Sequence, residues 1–251
     1  MASPLYMVRL ALEQRRLMQL ARRNRLPPHH LDTGYLVHCA LTELFGNLAP
    51  KPFAIPGEQQ PGTTIGRQLP VLAYSAVDRS RLEDQARLHA SPEVYEACDW
   101  TTLATKPMPS SWTAGRRLSF ELRACPVKRK ASAGAHHKEG AEVDIFLDRC
   151  WAVGDRNVPV DRAEVYLQWL RERLAASGAS MLQGKLVRFQ RKRLLRRDHQ
   201  EQRKSHSVER PDAVFEGLLE VTDPVLFPEL LARGVGRHRT FGFGMLLVKP
   251  G

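Results

Sequence analysis

The sequence has little of what marks a secreted or membrane protein. Its four cysteines, Cys39, Cys98, Cys125 and Cys150, are far apart and form no C-x-x-C pair, which argues against both a disulfide framework and a zinc knuckle. No apolar run approaches the roughly 20 residues that a membrane-spanning helix requires. The N-terminal segment is interrupted by Arg9 and has no small-residue cleavage site, so we do not expect a secretory signal. These absences predict a cytoplasmic protein with reduced thiols and no membrane partner.

Acidic residues are scarce relative to basic ones. The 251 residues include 38 lysines and arginines but 27 aspartates and glutamates, a formal net charge of +11 with the histidines counted as neutral. Two segments hold this excess: the basic block (residues 185–204) has nine basic and two acidic residues, and the arginine segment (residues 9–25) has six arginines and one glutamate. Concentrated charge of this kind indicates that a polyanion binds at defined places. Nucleic acid is the first candidate and an anionic membrane the second.

Hydrophobic periodicity predicts two α+β modules in tandem. The first half resembles an elaborated ferredoxin-like unit, and the second half has the order β-α-β-β-α-β of a ferredoxin-like domain. The predicted strands lie at residues 5–12, 69–76, 101–108, 117–124, 143–147, 181–191, 213–221 and 241–248. The predicted helices lie at residues 13–25, 32–45, 79–89, 161–176 and 224–231. For the second of them, Asp32 is the predicted N-cap and Gly46 the predicted stop. We therefore predict an α+β fold with two tandem ferredoxin-like (RRM-like) domains, residues 1–130 and 141–251, the second with the basic block between its central strands.

The sharpest local motif is a glycine-rich loop ahead of the last predicted strand. Residues 234–244 read GVGRHRTFGFG, two G-x-G pairs around a basic insert. Glycine permits positive φ and close backbone approach, so such a loop can lay its N–H groups against phosphates. The loop follows a predicted helix and contains no G-K-[ST], which excludes a nucleotide-binding fingerprint; an ordinary turn after a helix C-cap is the alternative. The predicted phosphate contacts are Gly234, Gly236, Arg237, His238, Arg239, Gly242 and Gly244.

This loop and three other segments resemble a known family. Two G-hydrophobic-G pairs before a C-terminal strand, on tandem ferredoxin-like domains, are similar to the pattern of the CRISPR repeat-processing endoribonucleases of the repeat-associated RNA-binding superfamily. The segments SFELRACPVK (119–128), RPDAVFEGLL (210–219) and DTGYLVH (32–38) are most similar to the type I-E (Cascade) member, although Cys125 stands where that family has asparagine. A type IV processing enzyme is the alternative, because the arginine-rich segment 13–31 is longer than expected.

The resemblance implies a metal-independent endoribonuclease without a cofactor. It would cleave CRISPR repeat RNA beside a stem-loop, leave 2′,3′-cyclic phosphate and 5′-OH ends, and stay bound to the CRISPR RNA together with other effector-complex subunits. The family's catalytic histidine falls on His38 and its tyrosine on Tyr35, which share one helix face at i, i+3 spacing. Imidazole titrates near neutral pH, so it can take the proton of a ribose 2′-OH or protonate the 5′-oxygen leaving group. The arginine-rich segment 13–31, which departs from the family pattern, would bring Arg22 or Arg23 to the scissile phosphate, where arginine would share or replace the histidine's role.

The basic block supplies the predicted surface for the RNA stem, where phosphates give most of the attraction and shape most of the recognition. The alternative for the basic block is a solvated charged loop. The alternatives for His38 and Tyr35 are a packed histidine and an aromatic residue at the edge of the core. A non-catalytic RNA-binding subunit of a CRISPR effector complex is the alternative function. The predicted RNA contacts here and in the smaller patch before it are Lys128, Arg129, Lys130, Arg188, Arg191, Lys192, Arg193, Arg196 and Arg197.

Two further patterns carry weaker expectations. The pairs His29-His30 and His136-His137 have no cysteine or carboxylate at ligand spacing, so we predict no metal site. Asp144 and Asp148 alternate with apolar residues, which predicts polar positions on one face of a strand.

Overall fold

The computed structural model describes residues 4–24, 32–57, 67–155, 157–197 and 205–251. Its elements, numbered in chain order, form a first group up to the fourth strand and a second group after it. The first group is β1 (Tyr6–Glu13), α1 (Gln14–Arg23), α2 (Thr33–Phe45), β2 (Phe53–Ala54), β3 (Gln68–Ser75), α3 (Arg79–His89), α4 (Pro92–Tyr95) and β4 (Cys98–Pro107). The second group is β5 (Arg117–Ala124), β6 (Val127–Arg129), β7 (Glu142–Asp144), α5 (Ile145–Val153), α6 (Arg162–Ala175), β8 (Ala179–Arg197), β9 (Ser205–Val221), α7 (Leu226–Arg233) and β10 (Leu246–Pro250).

Each group builds one four-stranded antiparallel sheet. The first sheet has the order β2-β3-β1-β4 and the second the order β10-β5-β9-β8. In the first sheet β1 lies between β3 and β4, and in the second sheet β5 lies between β9 and β10. The first strand of each sheet is therefore central, as in a ferredoxin-like domain. The prediction of an α+β fold with two ferredoxin-like units is confirmed.

The strand at 117–124 belongs to a different sheet from the one expected. Its position within residues 1–130 predicts a strand at the end of the first module, but β5 pairs with β9 and β10 in the second sheet. Its alternate side chains are buried in the apolar core that lies under the second sheet: Leu118, Phe120, Leu122 and Ala124. Alternation predicts a strand and its buried face but carries no information about partners, so the chain passes from one sheet to the other at 108–116.

The segment at 143–147 is mostly helix. The strand β7 ends at Asp144, whose side chain accepts a hydrogen bond of 2.8 Å from the Phe146 N–H and caps α5. Asp148 therefore lies in the first turn of a helix, and the prediction of a strand face for the two aspartates is wrong. An aspartate before an apolar run is also an N-cap signal, and here that signal outweighed the alternation.

The basic block lies largely within a long hairpin. The two strands β8 and β9 pair from Ala179↔Val221 to Arg197↔Ser205, so β8 extends well beyond the predicted 181–191. Before β10, by contrast, residues 241–245 are not strand: a 3₁₀ turn covers Arg239–Phe241 and β10 starts only at Leu246. Within the described residues, no helix combines the length and apolarity needed to cross a membrane.

Two large apolar clusters hold the sheets and helices together. One joins β1 to α2 through residues such as Leu10, Leu41 and Phe45. The other lies under the second sheet, yet it includes Tyr74 from the first sheet. The Tyr74 hydroxyl donates to the Leu246 carbonyl at 2.9 Å, so the first sheet is fixed to the edge strand of the second sheet.

Candidate active site

Helix α2 positions both residues of the predicted catalytic pair. Asp32 accepts a hydrogen bond of 2.8 Å from the Gly34 N–H and caps the helix, and Gly46 ends it with a positive φ, as the sequence predicted. The buried residues of α2 pack on the first core, which leaves Tyr35 and His38 half-buried at the opposite side. Their ring centroids are 6.3 Å apart.

His38 lies in surroundings that favour the neutral imidazole. Burial lowers its pKa below the ordinary value of 6.5, and the positive charge of Lys51 lowers it further. Its Nδ1 atom lies 3.4 Å from the Thr42 hydroxyl, one turn along the helix. A neutral imidazole can accept a proton at neutral pH, which is what a general base requires.

Lys51 is a candidate site residue that the sequence analysis did not find. It is exposed and follows the 3₁₀ turn Gly46–Leu48 at the end of α2. Its backbone N–H donates to the Tyr74 carbonyl at 2.9 Å, so the start of its side chain is fixed beside the site. A single lysine in a proline-rich stretch carries no sequence signal, because only the fold brings it near His38.

The tyrosine of the pair contacts the glycine-rich loop. The rings of Tyr35 and Phe241 are stacked with centroids 5.7 Å apart, and Tyr35 packs on an apolar cluster that includes Phe243 and Leu194. The helix approaches so closely that a Cβ at Gly34 would lie 2.2 Å from the Phe241 carbonyl oxygen. The loop and the start of α2 are therefore one packed unit.

The four glycines of the loop all have positive φ, between +72° and +85°. A Cβ at Gly234 would lie 2.6 Å from the Gly244 oxygen, and a Cβ at Gly244 would lie 2.6 Å from the Val235 oxygen. The Val235 N–H donates to the Gly244 carbonyl at 2.8 Å, and the Gly244 N–H donates to the Arg123 carbonyl at 2.7 Å. The two G-x-G pairs thus pack against each other and use these N–H groups internally, and backbone contact of the loop with phosphate stays a prediction.

One carboxylate gathers most of the loop's cationic side chains. Glu142 of β7 lies 2.6 Å from Nε of Arg237 and 2.9 Å from Nε2 of His238. Arg210 of β9 is 3.2 Å from the same carboxylate, while Arg239 donates to a backbone carbonyl at the end of α7. These contacts fix the shape of the loop, and its direct contact with RNA phosphates stays a prediction.

The basic block has an outer and an inner face. Arg191 and Arg193 are exposed on one face of β8, and Arg191 makes only an exposed pair with Glu209 at 3.2 Å. Lys192 and Leu194 point inward, and the Lys192 Nζ lies 3.3 Å from Oδ1 of Asp32. The backbone of 196–197 lies in β8, whereas the side chains of Arg196 and Arg197, as well as residues 198–204, lie outside the described residues.

The predicted catalytic arginines lie at the end of α1. Arg23 pairs with Glu43 and with Glu93, and it donates to the Ser91 hydroxyl at 3.1 Å. Arg22 is exposed in the same turn. The structure thus gives Arg23 partners on α2 and α4 other than His38. The rest of the arginine-rich segment, residues 25–31 with His29 and His30, lies outside the described residues, and a catalytic role for either arginine stays a prediction.

The smaller basic patch faces α5. Lys128 is exposed and lies 3.9 Å from Asp148, and Lys130 pairs with the same carboxylate. Arg129 is exposed on the strand between them. Asp148 thus neutralises part of a patch that the sequence analysis assigned to RNA.

A buried ion pair lies directly under the glycine-rich loop. Arg123 and Asp212, 4% and 0% exposed, are joined by two hydrogen bonds of 2.9 and 3.0 Å. Arg188, a predicted RNA contact, lies 3.5 Å from Asp212 and is mostly buried. The Arg123 guanidinium lies 4.5 Å from the centroid of the Phe243 ring. The sequence signal for such a pair is a charged residue in each of two apolar strands.

Comparison with known proteins identifies related chains. A curated relative, the CRISPR-associated endoribonuclease Cse3 of Thermus thermophilus, is 29% identical over 167 residues, which cover 61% of this chain and 68% of the relative. A solved structure of CRISPR endoribonuclease Cse3 bound to a 19-nucleotide RNA superposes with a TM-score of 0.60 at 19% identity and full coverage of both chains.

A chain of a CRISPR RNA-guided surveillance complex superposes with a TM-score of 0.57 at 14% identity, over 97% of this chain and 98% of that one. At such identities the two structural likenesses establish the fold. The sequence model of a family described as CRISPR associated protein matches residues 5–250. Because that match covers nearly the whole length, the chain belongs to this family of CRISPR-associated proteins.

Proposed function

We propose that this chain is an endoribonuclease that cleaves CRISPR repeat RNA next to a stem-loop to give mature CRISPR RNA. The observation that carries the proposal is His38, whose pKa is lowered by burial and by Lys51, on a helix packed against the glycine-rich loop. Two kinds of similarity support it: the family match over residues 5–250 and a curated relative named as a CRISPR-associated endoribonuclease.

The chemistry requires only proton transfer and charge stabilisation. Neutral His38 takes the proton of a ribose 2′-OH, and the 2′-oxygen attacks the adjacent phosphorus. The bond from phosphorus to the 5′-oxygen breaks, and that oxygen takes a proton from water, to which His38 returns its own. The products therefore carry a 2′,3′-cyclic phosphate and a 5′-OH. Lys51 stabilises the negative charge that develops on the phosphoryl oxygens. The reaction needs no metal ion.

The stem of the repeat binds along basic surfaces that flank α2. Arg191 and Arg193 on the outer face of β8 contact stem phosphates, and Lys128 and Arg129 extend this surface. After cleavage the protein keeps the stem-loop bound and joins other effector subunits. The structural likeness to a chain of a CRISPR RNA-guided surveillance complex supports this last step.

The test is single-turnover cleavage of the cognate repeat hairpin by the wild type and by His38→Ala. Loss of a general base should slow cleavage by about 10²–10⁴-fold, while the Kd for the same RNA changes little because His38 lies outside the basic surfaces. The product ends are identified by their resistance to phosphatase before, and their sensitivity after, acid opening of the cyclic phosphate.

Two controls make the experiment decisive. Cleavage that persists in EDTA agrees with the proposed mechanism, and a requirement for divalent metal contradicts it. Binding of the hairpin without cleavage by the wild type contradicts the nuclease and favours a non-catalytic RNA-binding subunit. Undiminished cleavage by His38→Ala removes the histidine from the mechanism.

A further inference from the structure

The inner face of the basic hairpin contacts the start of the candidate catalytic helix. Side chains alternate along β8, so that Arg191 and Arg193 face outward while Lys192 and Leu194 face the protein. Leu194 is buried with Phe241 in the cluster on which Tyr35 packs. The hairpin, whose strand β8 holds seven of the nine basic residues of the basic block, therefore touches the candidate active site through two inward positions.

The polar part of this contact is an ion pair at the helix N-cap. The Lys192 Nζ lies 3.3 Å from Oδ1 of Asp32, with side-chain exposures of 18% and 0%. The same oxygen accepts the 2.8 Å hydrogen bond from the Gly34 N–H. One carboxylate thus joins β8 to the first turn of α2, immediately before Tyr35.

We propose that Lys192 is a positioning residue, which holds the N-cap of α2 and through it sets the place of Tyr35 and His38. The proposal rests on the proposed function and differs from the phosphate contact that the sequence predicts for this lysine. A mostly buried ammonium engaged with a buried carboxylate is poorly placed for RNA, whereas its exposed neighbours Arg191 and Arg193 are well placed. Displacement of a reacting group by about 1 Å can cost as much as about a hundredfold in rate.

A positioning role and a phosphate contact predict different results. Lys192→Met should slow single-turnover cleavage of saturating hairpin RNA by about tenfold, with little change in Kd or in the dependence of Kd on salt. Lys192→Arg, which keeps the charge, should restore most of the rate. Lys185→Met is the matched control, because Lys185 lies on the same strand and forms an ion pair of the same length, 3.3 Å, with Glu216.

A double-mutant cycle with Asp32 tests whether the lysine acts through the N-cap. Asparagine is also a good N-cap residue, so Asp32→Asn keeps the capping hydrogen bond and removes the charge. If Lys192 acts through Asp32, the double variant should lose no more rate than Lys192→Met alone, since coupled residues are not additive. Full additivity of the two losses would overturn the proposal.

A further readout does not depend on cleavage. The NMR signal of the Gly34 amide, which donates to Asp32, should shift in Lys192→Met and stay in place in Lys185→Met. A wild type that does not cleave contradicts the proposed function but leaves this test in force. An unmoved Gly34 signal in Lys192→Met overturns the inference. Weaker binding by that variant, with a smaller salt dependence and an unchanged rate of cleavage of the bound RNA, also overturns it.

Discussion

The carbonyl oxygen of Phe241 lies 2.2 Å from the point that a Cβ at Gly34 would occupy. Real side-chain carbons do not approach backbone oxygens so closely, so only glycine fits at this position of α2. The contact joins a helix near the start of the chain to a loop near its end, and the adjacent Tyr35 ring stacks on Phe241. The candidate active site therefore depends on the correct docking of the two halves.

Gly34→Ala should separate the helix from the loop. The added methyl group must displace backbone, and overpacking of this kind costs about 1–3 kcal/mol, partly offset by the better helix propensity of alanine. We expect a lower midpoint of urea unfolding and slower cleavage of bound hairpin RNA. Thr33→Ala, in the same turn, adds no atom and is the control. An unfolding midpoint equal to that of the wild type would show that the contact yields without cost.

Local signals predicted much of the framework of this site. Asp32 as N-cap, Gly46 as the helix end and the whole of α3 at 79–89 agree with the structure, because capping residues and apolar spacing act within a few residues. The position of His38 on α2 followed from the same signals.

The remaining features arise from contacts between distant residues. Neither the pairing of β5 with the second sheet nor the proximity of Lys51 to His38 has a local pattern. The glycine-rich loop is instructive, because its glycines predicted a backbone approach to phosphate and the structure shows close approach between its own two halves. Glycine spacing predicts that something approaches the backbone but does not identify what does.

The pH dependence of cleavage should report the charge of Lys51. A general base acts when neutral, so the rate should rise with pH through a midpoint below 6.5, the ordinary pKa of histidine, because burial and Lys51 lower the pKa of His38. Lys51→Met removes a positive charge that opposes protonation, so the pKa of His38 rises and the midpoint moves to higher pH. The same change should lower the plateau, since Lys51 also stabilises the transition state.

The matched control for this profile is Lys106→Met, which removes an exposed lysine from β4. Its profile should coincide with that of the wild type. A midpoint that Lys51→Met leaves unmoved or shifts to lower pH would exclude Lys51 as an electrostatic neighbour of the catalytic base.

Removal of a charge from the buried pair under the loop should lower the free energy of unfolding more than removal of a charge from an exposed pair. Asp212→Ala leaves the Arg123 guanidinium, 4% exposed, without its carboxylate, a change that costs about 3–5 kcal/mol in buried pairs. Glu209→Ala on the same strand breaks the exposed pair with Arg191, and such pairs contribute about 1 kcal/mol or less. Urea unfolding of both variants measures the difference, and equal losses would contradict the assigned burial.

Acid titration checks the same pair independently. Burial raises the pKa of Asp212, but its hydrogen bonds from Arg123 and Gln190 and the charges of Arg123 and Arg188 together outweigh this and hold the pKa below the ordinary value. A lowered folded-state pKa stabilises the protein above the unfolded-state pKa, about 3.9 for aspartate, and this contribution is lost as the pH falls through the folded-state pKa. Asp212→Ala should therefore have a flatter acid limb in its stability curve than the wild type.

The salt dependence of Kd should show whether the RNA contacts the outer face of the hairpin or responds only to the net positive charge. Each phosphate contact adds about 0.7–0.9 to the slope of log Kd against log salt, so Arg191→Ala/Arg193→Ala should weaken binding and reduce that slope by roughly 1.5. Arg81→Ala/Arg87→Ala removes the same charge from the exposed surface of α3 and should leave the slope near that of the wild type. Equal reductions in both double variants would mean that the RNA responds to net charge, and the hairpin would lose its place as the surface that binds the stem.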